Sequence, residues 1–161
     1  MAVTSNTNIQ RQVGQALAAA LSAYEWPGTI GPIEAVWRRA PDYTVEDLGT
    51  LKVSVVPGPV QIKHQQISRG ADTFEVSVGV VLAQHVGSEQ EIEQLEDLVM
   101  AIADGVRSRT AAVTGIPYTA DYLEIAVPVP FDREALVERS VFLSQIEITY
   151  QVFIDKVTAT E

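Results

Sequence analysis

The chain contains no cysteine, which excludes disulfide frameworks, thiolate zinc sites and cysteine nucleophiles. Basic residues are scarce: 11 Lys+Arg stand against 21 Asp+Glu, a net charge of −10 over 161 residues. Such a balance argues against a nucleic-acid reader, which needs a basic footprint to displace counterions from phosphates. Long apolar runs are missing too. The longest near the start is Ala16 to Leu21, far short of the roughly 20 residues that cross a bilayer. Met1 to Asn8 carries no Lys or Arg followed by an apolar core, so no secretory signal is read, and a protein folded in a cytoplasm is expected.

Catalytic patterns are equally sparse. Histidine occurs twice, as His64 and His85, with no second His four residues on, so no metal-ligand spacing is visible. There is no G-x-x-x-x-G-K loop, no G-x-G-x-x-G loop and no G-x-S-x-G elbow to cradle a phosphate or present a nucleophile. With 21 carboxylates, a chance acid and base pair carries no weight. No catalytic residue, metal site or cofactor is predicted.

What is present is a folding pattern. A hydrophobic content of 47% with 20% charged residues excludes intrinsic disorder. The length suits one domain, 1–161, which buries roughly 70% of the surface of its unfolded chain. Residues 1–6 and 156–161 read as flexible ends. Thr7 and Gln10 have the spacing of a capping box. Ile9, Val13, Ala16, Leu17, Ala20, Leu21 and Tyr24 follow at helical steps, until Trp26-Pro27-Gly28 ends the helix. A short strand is expected within Ile33–Arg39. Leu51, Val53 and Val55 alternate, Pro57-Gly58-Pro59 reads as a turn, and Val60, Ile62 and His64 resume the period of two. After a polar turn at Ser68–Asp72, residues Phe74, Val76, Val78, Val80 and Leu82 mark the most regular strand, with a mixed opposite face.

The second half repeats the scheme. Ser88 with Glu91 forms a capping box, and Glu89, Glu91 and Glu93 sit near the positive end of the helix dipole. Ile92, Leu95, Leu98, Val99, Ile102 and Val106 then hold one helical face. Residues 110–121 read as a loop. Leu123, Ile125, Val127 and Val129 form a strand that Pro128 and Pro130 confine to a sheet edge. Asp132 to Glu138 is a helical turn or a projecting loop, and Ile146, Ile148, Tyr150, Val152 and Ile154 line one face of a long last strand. Strands do not alternate with helices, so the fold class is α+β, a mainly antiparallel sheet packed against two principal helices.

Candidate functional residues are those suited to a subunit interface: Arg38, Arg39, Val60, Ile62, His64, Ser68 and Arg69. Arg38, Arg39 and Arg69 are the main cations outside helix ends, serving either as solvated charge or as partners for a carboxylate on a neighbouring chain. Val60 to Ser68 lies on an expected hairpin, whose edge offers unpaired backbone groups. Trp26 and Trp37 read as core residues before interface anchors. The acidic excess reads as a solubility device or as a wall that repels DNA.

The order of segments resembles a known family. An amphipathic N-terminal helix leads to DYTVEDLGTLKVSVVPGP. A polar hairpin around Arg69 is followed by DTFEVSVGVVLAQHV, the acidic-capped EIEQLEDLVMAIADGV and a closing FLSQIEITYQVFI. Over residues 7–155 this arrangement is similar to tail terminators and other tail-completion proteins of long-tailed bacteriophages, the minor tail protein U family. The resemblance is one of element order, size and residue texture, and no binding motif transfers residue by residue. It implies a non-enzymatic virion protein that caps the tail tube as a ring, a homohexamer. Such a ring stops tube polymerisation, provides the docking surface for the head's neck and leaves a channel for DNA. The implied partners are other copies of itself, the tail tube protein and a neck or head-closure protein, with genomic DNA passing through without sequence-specific binding. Other neck or connector subunits share this texture. A cytoplasmic α+β domain binding a small ligand through its sheet is the reading from a different class, and it requires convergent polar groups in a pocket.

Overall fold

The computed structural model describes residues 8–24, 26, 32–40, 43–44, 46–63, 71–108, 113–116, 118–129 and 131–155. Helix α1 spans Ile9–Ala23, followed by strand β1, Ala35–Trp37, and a 3-10 turn at Asp47–Gly49. Strands β2, Lys52–Lys63, and β3, Ala71–His85, precede helix α2, Glu89–Arg107. Strand β4, Thr119–Val129, the short helix α3, Arg133–Arg139, and strand β5, Val141–Asp155, complete the order. The strands form one sheet in the order β1-β2-β3-β5-β4, antiparallel except for the β1–β2 pair. The α+β class expected from the sequence is the class observed.

The core lies between one sheet face and the two long helices. Val76, Val78, Val80 and Leu82 of β3 and Ile146, Ile148, Tyr150 and Val152 of β5 are buried in one cluster. Ile9, Val13, Leu17 and Leu21 of α1 and Leu95, Leu98, Val99, Ile102 and Val106 of α2 belong to the same cluster. Period two on the strands and period 3.6 on the helices put every one of these side chains on a single face. Each fully buried Leu or Ile contributes about 1.5–3 kcal/mol of transfer free energy. Tyr118, just ahead of β4, donates to Gln12 Oε1 of α1 at 2.5 Å.

The chain departs from the sequence expectation in five places, one being that β3 begins at Ala71, inside the expected turn Ser68–Asp72. Thr7 lies outside the described residues, and the N-cap of α1 is Asn8, left-handed at φ 62° with no side-chain cap. Gln10 reaches no helix end. Its amide donates instead to the carbonyl oxygens of Gly58 and Ser77, the latter at 3.0 Å. The expected turn at Pro57-Gly58-Pro59 is part of one twelve-residue strand, which absorbs the prolines through a register shift between Pro57 and Val60. A bulge of this kind takes up one extra residue without ending the pairing. In β4 another shift falls between Tyr122 and Glu124. It turns Leu123 out to 50% exposure, while Tyr122 and Ile125 pack on the core. Finally, β4 begins at Thr119, inside the expected loop.

Other expectations hold with detail added. Ser88 caps α2 by accepting from Glu91 N at 3.3 Å, and Asp132 caps α3 by accepting from Ala135 N at 3.0 Å. Trp26 is buried and donates to Leu21 O at 3.1 Å, and Trp37 packs beside α1. The face of the sheet away from the helices is also partly covered. Tyr43, between β1 and β2, lies against it with its hydroxyl meeting that of Ser54, and Ser54, Val56, Val81 and Ala83 are buried. Parallel pairing of β1 with β2 requires a crossover connection.

Candidate assembly edges

The five-stranded sheet has two ends, and they differ. At one end β1 pairs with β2 only along Ala35–Trp37 against Val53–Val55. Beyond Val55 no described strand flanks β2 on its outer side. Pro57 and Pro59 have no N–H to offer there, so the stretch able to take a further strand is Val60–Lys63. At the other end β4 is outermost. Its Pro128 and two register shifts blunt the far half, leaving the stretch from Thr119 to Tyr122. Bulges and prolines are the means by which edges are kept from indiscriminate pairing.

The two open stretches lie on the same cross-strand rows. Val60 pairs with Val76, Val76 with Tyr150 and Tyr150 with Tyr122. Gln61, Glu75, Gln151 and Asp121 form the next row, and Ile62, Phe74, Val152 and Ala120 the one after. The edges are also complementary in charge. From Lys52 to Gly70 the chain holds Lys52, Lys63 and Arg69 with no carboxylate, whereas β4 holds Asp121 and Glu124 with no Lys or Arg. The acidic character continues along the helix-free face, where the registers set Glu75, Asp121, Glu124 and Glu147 together on β3, β4 and β5.

Of the interface residues expected from the sequence, the structure groups some and separates others. Val60 is 44% exposed on β2, and Ile62 stands two positions on in the same strand. Arg38 and Arg39 follow β1 at the other half of that edge. Arg38 N donates to Val55 O at 2.9 Å, and its guanidinium stands 5.3 Å from the centre of the Tyr43 ring. Arg38 thus has an intramolecular neighbour. Positions 64, 68 and 69, the expected His64, Ser68 and Arg69, lie outside the described residues. The acidic β4 edge was not among the expected sites. Its signal was in the sequence, as a proline-marked edge strand with two carboxylates and no cation.

Beside β4 runs an apolar groove of about 270 Å³, lined by Met100, Ala103, Asp104, Arg107, Ile125 and Val127. Arg107 pairs with Asp104 at 2.5 Å at its rim, and this carboxylate holds the guanidinium pKa above its usual value. Among the described residues no group of three or more His, Asp or Glu is placed to hold a metal ion. No described helix is long and apolar enough to cross a membrane.

No protein-family model and no curated protein matches the sequence. Among solved structures, the chain is similar to one in the virion of a native gene transfer agent particle, at 14% identity and a TM-score of 0.42. The alignment covers 91% of this chain and 94% of that one. A likeness of this degree assigns neither a family nor a role.

Proposed function

We propose that this chain is a structural subunit of a phage-like virion, a tail-completion protein that closes the tail tube as an oligomeric ring. The observation that carries the reading is the pair of open, oppositely charged stretches at the two ends of one sheet. One patch that meets a different patch on the next copy generates a ring when the rotation closes. The resemblance of segment order to tail terminators points to the same kind of assembly, with six copies as its expected number.

In this role the ring meets the tail tube on one side and a neck or head-closure protein on the other, and DNA passes through its lumen. The carboxylates of the helix-free face suit the lumen wall. Duplex DNA carries one negative charge per roughly 1.7 Å, so an acidic wall repels it over a screening distance of about 8 Å at physiological salt. Repulsion favours passage over capture. The experiment is to image particles assembled without this chain by negative stain. Overlong, headless tubes support the terminator role. Tails of normal length joined to heads overturn it, and normal tails detached from heads assign the chain to the neck instead.

A further inference from the structure

We infer that β4 of one copy pairs antiparallel with the Val60–Lys63 stretch of β2 on the next copy, joining the sheets of neighbouring protomers edge to edge. The inference deepens the proposed ring, and rests on it only for the closure of the chain of contacts.

Four observations select this contact. First, the strand directions fit. β2 is antiparallel to β3, β3 to β5 and β5 to β4, so β2 and β4 run in opposite directions. A copy rotated about an axis along the strands then continues the antiparallel alternation, the better of the two ladder types. Second, the levels fit. Val60 and Tyr122 share one cross-strand row, and Gln61 and Asp121 the next. Row meets row with no shift along the strands, which is the condition for a ring rather than a rising filament. Third, the faces fit: Val60 and Tyr122 fall on the helix side, and Gln61 and Asp121 on the other. Fourth, the charges fit. Lys63 takes the register position diagonal both to Glu75 of its own β3 and to the neighbour's Asp121, and opposite charges at such positions attract, so the contact sets one cation between two carboxylates. Pairing of two β2 edges, or of two β4 edges, brings together edges of the same charge sign and offers no such attraction.

The absence of native cysteine permits a direct test. Gln61→Cys and Asp121→Cys are introduced together into the full chain. Within one protomer these positions are three strand spacings apart, about 14 Å, and a disulfide spans Cα separations only up to about 7 Å. Any bridge is therefore between copies. Mild oxidation of the double variant should produce a ladder on a non-reducing gel, extending past dimer to a closed covalent species. Each single variant should give at most slow dimerisation. Cooperative unfolding of the reduced variants verifies that they fold.

A second measurement needs no cysteine. Lys63→Glu should weaken self-association in sedimentation roughly tenfold, and adding Asp121→Lys should restore it. The inference is overturned if single variants cross-link as fast as the double variant or if no bridge forms. It is also overturned if the wild-type chain sediments as a single protomer at every concentration tested. The tail-length experiment fails independently: a ladder with unaffected tails leaves the edge contact standing and removes the terminating role.

Discussion

Gly14 lies on the buried face of α1, where an added Cβ would run into the Trp37 ring. Gly14→Ala sets two effects against each other. In a helix interior the substitution alone favours folding by about 1 kcal/mol. Overpacking a filled site costs about 1–3 kcal/mol, and here the obstacle is a rigid indole on a strand paired to β2 and tied to α1 through Ser22, whose hydroxyl accepts from Ala35 N at 2.9 Å. The upper half of that range applies, so the net loss is about 1–2 kcal/mol. For a domain of this size each kcal/mol shifts the midpoint by about 2–4 °C, which gives a Tm lowered by about 2–8 °C. Thermal unfolding measures it, and a double-mutant cycle with Trp37→Ala isolates the cause. Without the indole, Gly14→Ala should stabilise. A rise in Tm when Gly14→Ala is made in the otherwise native chain would mean that the Trp37 ring does not resist the added methyl.

Three further outcomes are expected. Ser88→Ala removes the acceptor at the start of α2 and should cost about 1 kcal/mol by urea unfolding; an unchanged midpoint contradicts the cap. Tyr150→Phe should leave stability unchanged or raise it, because that hydroxyl is buried with no hydrogen-bond partner among the described residues, and a large loss would show that it is satisfied. Burial pushes the Tyr118 hydroxyl up to about 12 and raises that of Tyr150, against about 10 in the unfolded chain. The folded state then holds protons that the unfolded state has released. Stability should accordingly be full below pH 10 and fall as pH rises towards 12, a slope that Tyr118→Phe should reduce and that a flat profile would contradict.

The elements with uninterrupted periods were the legible ones. Strand β3, the face of β5 from Ile146 to Val152 and helix α2 each carry a long run whose apolar residues fall on one face, so local pattern and tertiary burial agree. Where one residue breaks the count, the pattern misleads. Leu123 belongs to the alternating set with Ile125 and Val127, yet the register shift beside it leaves it exposed. Pro57-Gly58-Pro59 has the local chemistry of a turn. Pairing with β3 on both sides and the Gln10 amide on Gly58 carry the strand through it. Val60 was read as an edge residue from its place on an expected hairpin, and it stands at the outer side of β2. The prolines of β4 marked it as an edge strand too, but that its open stretch stands level with Val60 was not legible, since strand order decides it. Strand order is set by contacts distant in sequence, and no local pattern encodes it.

The most direct test of the account is to label intact particles with gold-tagged antibody against this chain and image them. Label should be confined to the junction between tail and head, in a ring-sized cluster on each particle. Particles that carry no label there, with the chain recovered only in the soluble fraction, would contradict it.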